Sequence, residues 1–280
     1  MNEKTVGIVG NGVVGSATGK AFERRGYTVR YWDLCPTRST HSLLRVLQTG
    51  TVFVCLPTPS YVDGSSDVTS LLGFFTLPDV YASKPRTTFV IRSTVPIGFT
   101  KDIHLNYHFP SIYHWPEFLT MRTAEQDAIA PRCILLGKAG GWAVGDWEET
   151  SPDHRLYLML DEVFGGPHIS PYTHDSSCTE AAKLFTNAFF AAKVSIFNEF
   201  RMLSDKLGLE WEHVRDMMIN DQRISEHHTL VPGPDGQRGF GGACLPKDLE
   251  SVIRQCVNAG ISPHTLNGAA VTNGKVRPKV

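Results

Sequence analysis

A surplus of charge is what this 280-residue sequence most plainly lacks: 27 Lys and Arg stand against 28 Asp and Glu, for a formal net charge of −1. Without a basic excess there is no electrostatic footprint for nucleic acid, and no such partner is expected. Long apolar runs are missing too. None reaches the roughly 18 residues that a bilayer-spanning helix requires, so no membrane partner is expected, and the polar residues 1–5 do not read as a signal peptide. Cysteines number only six and are scattered singly, with no CxxC pair. That spacing argues against both a disulfide scaffold and a zinc site, and favours reduced thiols in a cytoplasmic compartment. The ten histidines from His104 to His264 show no metal-ligand spacing with Cys or acidic residues, so no metal is assigned. The adjacent pair His227-His228 reads as part of a polar loop.

What is present is an alternation. Residues 5–9 (TVGIV), 27–32 (YTVRYW), 51–56 (TVFVCL) and 88–92 (TFVIR) are short runs rich in Val, Ile, Phe or Tyr and read as strands. Weaker strands are expected at 111–115, 132–136 and near 168–172, and helices at 13–25, 39–48 and 153–164. Residues 140–152 read as a loop. Strand–helix alternation implies βαβ units and a parallel sheet. Beyond residue 173 the character changes. From Ser176 to Leu207 no Gly or Pro interrupts and apolar residues recur at helical spacing. One long helix is expected there, with Gly208 as its cap. Helices at 210–219 and 246–258 follow, separated by a Pro- and Gly-rich loop at 231–243. The predicted organisation is a Rossmann-like, doubly wound α/β domain at 1–173 and an α-helical domain at 174–280 built on the long helix.

Gly10-Asn11-Gly12-Val13-Val14-Gly15 reads GxGxxG, directly after the first strand and at the opening of a helix. The first glycine permits a tight turn, the second lets the backbone approach a pyrophosphate, and the third lets helix and strand pack closely. The helix N-terminus adds free N–H groups and a partial positive charge. Asp33 ends the second strand, where a carboxylate accepts hydrogen bonds from an adenosine ribose and repels a 2′-phosphate. NAD rather than NADP is therefore the expected cofactor, with Arg38 nearby as the feature that speaks for the other. Pro57-Thr58 and Ser93-Thr94 follow the third and fourth strands and are expected to place hydroxyls near the nicotinamide end. The prolines there stiffen the turns.

Other motifs have to be read in order: Cys55-Leu56-Pro57-Thr58-Pro59, Ser93-Thr94-Val95-Pro96, Pro116-Glu117-Phe118-Leu119, Glu180-x-x-Lys183-x-x-x-Asn187, Asn198-Glu199, Asp221-x-Arg223-Ile224, and a run from Gly239 to Asp248 reading GFGGACLPKD. Together they resemble the nucleotide-sugar dehydrogenases, the family of UDP-glucose and GDP-mannose 6-dehydrogenases, from about Thr5 to Asn273. The last motif is long and specific.

The resemblance implies oxidation of a sugar C6 alcohol to an aldehyde and then to a carboxylate, with two NAD reduced, UDP-glucose being the foremost substrate. By position, Cys244 is the cysteine that carries the thiohemiacetal and thioester. Lys183 and Asn187 match residues that stabilise the oxyanion at C6. Asp248 and Thr94 match a pair that handles protons around a catalytic water, and Glu117 matches a glutamate assigned to water activation or thioester hydrolysis. Phe118, Leu119, Phe240, Gly241 and Gly242 fall in the segments that hold the sugar. Arg223 matches an arginine that reaches the neighbouring subunit's substrate, which implies a homodimer through the long helix.

The residues have readings of their own. A cysteine just before a helix start has its thiolate favoured by the helix N-terminus and by nearby cations, here Lys247 or Lys183. A small buried hydrophobe is the other reading, and it is the default for Cys35, Cys55, Cys133, Cys178 and Cys256. Lys183 and Asn187, four apart, share a helix face and can stabilise an oxyanion; a solvated face is the plainer alternative. Asp248 suits the first turn of a helix on electrostatic grounds alone. Glu117 can be an exposed loop acid, and Arg223 an exposed surface arginine.

Three features depart from the family pattern. The chain stops at Val280, where a further nucleotide-gripping domain is expected in the family. The stretch between Asp33 and Thr51 is short, and the loop between Arg223 and Cys244 is long. Two other functions stay open: a two-electron dehydrogenase of the 6-phosphogluconate type, and a non-catalytic NAD-binding remnant that acts on a partner.

Overall fold

The computed structural model describes residues 4–119, 123–143, 148 and 151–277. β1 (Thr5–Val9) leads through the Gly10–Gly12 turn into α1 (Val13–Arg24), and β2 (Thr28–Trp32) returns beside β1 in parallel register, Val6 opposite Val29. A short 3₁₀ turn and α2 (Leu43–Leu47) lead to β3 (Thr51–Val54). Next come α3 (Thr69–Phe75), α4 (Pro78–Ser83), β4 (Thr88–Ile91), α5 (Phe99–Tyr107), β5 (Ile112–His114), α6 (Ala124–Ile129), β6 (Ile134–Lys138), α7 (Pro152–Phe164) and β7 (Pro171–Asp175). The strand order is β2-β1-β3-β4-β5-β6-β7. Every pairing is parallel except β5 with β6, which is antiparallel. The interior strands read as near-continuous apolar runs because both sheet faces are covered. Phe22, Phe53 and Phe164 lie in the core on one side, and Phe75, Phe89 and Phe109 in that on the other.

The helical segment comprises α8 (Ser176–Leu207), α9 (Trp211–Asn220), α10 (Leu245–Asn258) and α11 (His264–Val276). Two compact units result, Met1–Pro59 with Asp67–Lys183, and Ser60–Ser66 with Leu184–Val280. The division between these units falls inside α8, at Lys183/Leu184. The first turns of α8 bond to the sheet unit: Thr179 Oγ1 meets His114 Nδ1 at 2.8 Å, and Glu180 accepts from the N–H groups of Gly98 and Thr100. In the second unit, Leu184, Ala188, Ala191 and Val194 of α8 pack with Phe240, Leu249 and Val252. Phe197, Trp211 and Val231 form a smaller cluster.

The sequence expectation of a helix over 39–48 is corrected: only Leu43–Leu47 is α-helical, after a 3₁₀ turn at Pro36–Arg38. The N–H groups of Thr40 and His41 bond to Tyr31 O, and the Ser39 hydroxyl bonds to Asp33, so this backbone is held along the end of β2. Helices α3, α4, α5, α6 and α11 were not foreseen. Most are short, and Gly73 in α3 and Gly268 and Gly274 in α11 mask their periodicity. Part of the predicted loop at 140–152 lies outside the described residues.

Candidate active site

The first unit carries the dinucleotide features. Gly10 has φ +87, and a Cβ there would lie 2.5 Å from Cys55 O; a Cβ on Gly15 would lie 1.9 Å from Gly10 O. Both positions are closed to larger residues by backbone. A Cβ on Gly12 would meet nothing within 4 Å, so the turn leaves open space at the N-terminus of α1. Gly12 is the N-cap of α1, which has no side-chain cap. Its first-turn N–H groups are therefore available to an anion.

Asp33 sits beside this cradle. Its Oδ2 accepts from Asn11 N at 2.8 Å and its Oδ1 from Cys35 N at 2.8 Å, while Asn11 Nδ2 bonds to Arg38 O. A carboxylate so fixed retains lone pairs for ribose hydroxyls. The open cradle and the oriented acid fit an adenine dinucleotide. The glycines part in their expected effects. Gly15→Ala should destabilise the sheet unit by about 3 kcal/mol or more, because backbone cannot yield. Gly12→Ala should change stability by less than about 0.5 kcal/mol yet weaken dinucleotide binding. Thermal unfolding and dinucleotide titration of the two variants check this.

Loops after β3 and β4 are stitched by hydroxyls. Thr58 Oγ1 donates to Thr94 O at 2.7 Å, and Ser93 Oγ donates to Leu56 O at 2.6 Å. Both side chains are buried, so their protons hold the loops while their oxygens can still accept. Pro57 is exposed and Thr94 half-buried.

After β5 comes Pro116-Glu117-Phe118-Leu119. Glu117 Oε2 accepts from Leu119 N at 2.6 Å, and its Oε1 lies 3.3 Å from Lys183 Nζ. The Lys183 side chain is 5% exposed and that of Glu117 11%, and the ammonium also lies 5.1 Å from the Phe118 ring centre. The structure thus brings Glu117, Phe118 and Lys183 together, 66 residues apart for the ion pair.

Three buried polar side chains of this unit were not assigned roles from the sequence. Arg92 stacks on Trp115, its guanidinium carbon 3.6 Å from the ring centre. His114 is fully buried, and desolvation, with Arg92 and Lys183 adding to it, pushes its pKa down to about 3. Glu180 is fully buried at the N-terminus of α5, and burial raises its carboxyl to about 7 against the pull of the two N–H donors. For Arg92 and His114 the sequence signal was a charged or polar type at a strand end, and for Glu180 its place in the Glu180-x-x-Lys183-x-x-x-Asn187 motif.

These two groups set opposite pH slopes. Folding raises Glu180 from 4.5 to about 7, so the stability it brings is full below 4.5 and lost as pH rises to about 7. Folding lowers His114 from 6.5 to about 3, so its contribution is full above 6.5 and lost as pH falls towards 3. Between pH 4.5 and 6.5 the two cancel. Glu180→Gln should uncover a slope: relative to the parent, the variant gains about 1.4 kcal/mol per pH unit on going up through that window. Denaturant unfolding at several pH values checks it; a flat difference between the two proteins refutes it.

The second unit carries the thiol. Cys244 is exposed and is the N-cap of α10, a 14-residue helix with Pro246 in its first turn. Four residues on, Asp248 is buried; its Oδ2 accepts from Asn187 Nδ2 at 2.6 Å, and its Oδ1 makes an ion pair with Lys247 Nζ at 2.6 Å, without hydrogen-bond geometry. Lys247 is therefore engaged by Asp248. The glycine loop before Cys244 is clamped by amides. Asn273 bonds both the N–H and the carbonyl of Phe240, and Asn198 Oδ1 accepts from Gly239 N. A Cβ on Gly241 would lie 2.4 Å from the Arg277 guanidinium, whereas one on Gly242 would meet open space. Glu199 accepts from Thr272 Oγ1 at 2.6 Å. Arg223 is exposed and pairs with Asp221 of its own chain. His228 lies in the loop after α9 and stacks on Phe190, ring centres 4.2 Å apart.

Among the described residues no group of three or more His, Cys, Asp and Glu side chains could hold a metal ion, and no helix is long and apolar enough to cross a membrane.

The sheet, its glycine turn and the long helix define a Rossmann-like α/β protein with an appended helical unit. Residues 177–275 match the central domain of the UDP-glucose/GDP-mannose dehydrogenase family. It is 29% identical over 205 residues to the UDP-glucose 6-dehydrogenase of Campylobacter jejuni, covering 72% of this chain and 47% of the relative. Identity to the UDP-glucose 6-dehydrogenase of Haloferax volcanii is 28% over 264 residues, covering 84% and 55%. This chain thus spans about half the length of these relatives. Among solved structures it resembles in fold a UDP-glucose dehydrogenase from Pyrobaculum islandicum, with a TM-score of 0.81 at 22% identity, covering 97% of this chain and 68% of that one. It also resembles in fold the 3-hydroxyisobutyrate dehydrogenase of Mycobacterium tuberculosis, with a TM-score of 0.73 at 21% identity, covering 96% and 92%.

Proposed function

We propose that this chain binds NAD and oxidises the C6 alcohol of a nucleotide sugar, UDP-glucose foremost, to a carboxylate through a thioester on Cys244. The observation that carries the reading is the exposed Cys244 at the N-cap of α10, with Asp248 buried in the following turn and bonded by Asn187 of α8. A helix N-terminus favours the thiolate, which is the nucleophile. When bound, NAD accepts a hydride from the sugar carbon in each of two oxidations.

The chain's own residues supply the rest. The GxGxxG turn and Asp33 hold the dinucleotide, and Asp33 disfavours a 2′-phosphate, so NADP is expected to serve poorly. Lys183 and Asn187 stabilise negative charge on the C6 oxygen. Cys244 Sγ adds to the aldehyde carbon, which then loses a second hydride to leave a thioester. Water, activated with the help of Glu117, Asp248 and Thr94, adds to that carbonyl; the C–S bond breaks, and carboxylate and thiol result. Phe118, Leu119, Phe240, Gly241 and Gly242 are assigned to sugar contacts and Arg223 to the substrate of a neighbouring subunit.

A homodimer through α8 is part of this reading. Phe185, Phe189, Ile196, Phe200, Leu203 and Leu207 recur at spacings of three, four and seven and are all exposed, an apolar stripe along the helix. The test is stoichiometry. Two NADH per sugar oxidised, with at least one of a panel of UDP-, GDP- and dTDP-hexoses, is expected from purified protein. No NADH from any of them overturns the proposal, and one NADH per turnover, undisturbed by loss of Cys244, favours a two-electron dehydrogenase. Sedimentation of Phe189→Glu beside the parent checks the dimer.

A further inference from the structure

A cavity of about 520 Å³ opens at the amino-terminal edge of the sheet, where Thr51 starts β3, Thr88 starts β4 and Ser111 precedes β5. Sites for small molecules fall in this size range. The cavity is on the far edge from the glycine turn. Gly10 packs against the carbonyl of Cys55, four residues along the chain from Thr51, which is about 13 Å of extended strand. Gly50 also lines the cavity; its φ is +79, and a Cβ there would meet nothing within 4 Å, so the backbone leaves the space unfilled.

Charge decides what this space suits. Arg86, in the turn ahead of β4, and Arg155, on α7, both line it, and among the described residues no carboxylate does so. Neither guanidinium has an ion pair or a side-chain hydrogen bond among those residues. The acids close by in the chain are not their partners. Asp153 is engaged by the Tyr113 hydroxyl at 2.5 Å and by Lys138 at 3.2 Å. Asp79 borders a neighbouring hollow that Arg86 also lines, without an ion pair to it.

The hydroxyls divide in the same way. Thr49 donates to the carbonyls of Val46 and Thr51, and Thr87 to that of Leu47. Those of Thr51, Thr88 and Ser111 have no partner among the described residues, although Thr88 is only 8% exposed. Two like charges directed at one hollow repel each other, and a hollow lined by one sign focuses its field on an anion. A guanidinium offers paired N–H groups that match phosphate oxygens, and a free hydroxyl adds a further donor. Leu156 and Met159 give the cavity an apolar wall beside these donors.

We propose that this cavity is a second ligand site of the sheet unit, for a phosphate-bearing small molecule, held by Arg86 and Arg155 and separate from the dinucleotide cradle. The phosphate can belong to an inorganic anion or to a nucleotide whose base lies on the Leu156 and Met159 wall.

The Met159 methyl group is the local probe. Carbon-13 methyl NMR follows it, with Met159→Leu as the assignment control, while inorganic phosphate, pyrophosphate or UDP is added at low ionic strength. A saturable shift is expected. Arg86→Gln and Arg155→Gln should each weaken binding about fivefold or more, because each removes charge-assisted hydrogen bonds to the anion. Both arginines are exposed, so both variants should fold like the parent. Arg132→Gln, at an exposed arginine that does not line the cavity, should leave the affinity unchanged, and so should saturating NAD. Tighter binding of UDP than of pyrophosphate identifies a nucleotide as the occupant, and equal binding assigns the site to the phosphates alone. No saturable shift with any of the three, unchanged affinity in either cavity-arginine variant, an equal loss in Arg132→Gln, or displacement by NAD overturns the proposal. None of these readouts depends on turnover, so failure of the proposed oxidation would leave this site standing.

Discussion

Cys244→Ser should release essentially no carboxylate: formation of the acid is expected to fall by about a thousandfold or more, while NAD binding is unchanged. A serine hydroxyl is a far weaker nucleophile than a thiolate, and the N-cap of α10 favours an anion on sulfur far more readily than on a hydroxyl oxygen. Oxidation to the aldehyde does not require the thiol, so reduction of NAD should stall at or below one equivalent per sugar instead of running to two. Because Cys244 is exposed, the substitution should alter stability by less than about 0.5 kcal/mol, which separates a chemical from a folding defect. NADH absorbance together with mass analysis of the sugar product reads both arms. Two equivalents of NADH from Cys244→Ser would exclude the thioester route.

Lys183→Met is the second large effect, and it is expected in stability as well as in rate. Lys183 and Glu117 are nearly buried and 3.3 Å apart, so removing the ammonium leaves a carboxylate in the sheet unit with Leu119 N as its hydrogen-bond donor. Breaking one half of such a pair costs about 3–5 kcal/mol. Replacing both partners is milder, since no charge is then stranded, so Lys183→Met with Glu117→Gln should recover much of the loss. The double-mutant cycle, measured by denaturant unfolding, gives the coupling directly. Additive losses in the cycle would show that the pair is not coupled. Turnover should fail in both Lys183 variants, because the refilled core offers no cation to the C6 oxygen.

Local chemistry made much of this legible beforehand. The strand at Thr5–Val9 and the helix at Ser176–Leu207 coincide with the sequence boundaries, one because a short apolar run ends at a glycine turn, the other because 32 residues pass without Gly or Pro. The residues at Gly10, Gly12 and Gly15 could be given separate reasons, and geometry now supplies a distinct one for each. Elements of fewer than ten residues, such as α3 and α6, were invisible because propensity over so short a span is weak and packing decides. The stretch at 39–48 failed for another reason: it has helix-compatible residues, but Ser39 and the backbone of Thr40 and His41 are captured by β2.

What the sequence determined by itself are features that need only neighbours in the chain: the glycine turn, the acid at the end of β2, the unbroken long helix, and a cysteine immediately ahead of a helix start. Partnership between distant residues was decided by the tertiary structure alone. Glu117 with Lys183, Asn187 with Asp248, Arg92 with Trp115 and Asn273 with Phe240 are pairs separated by at least 23 residues. The physical reason is burial. A charged or amide side chain taken out of water must find its counterpart wherever packing brings one within about 3 Å, and the chain order carries no record of that choice.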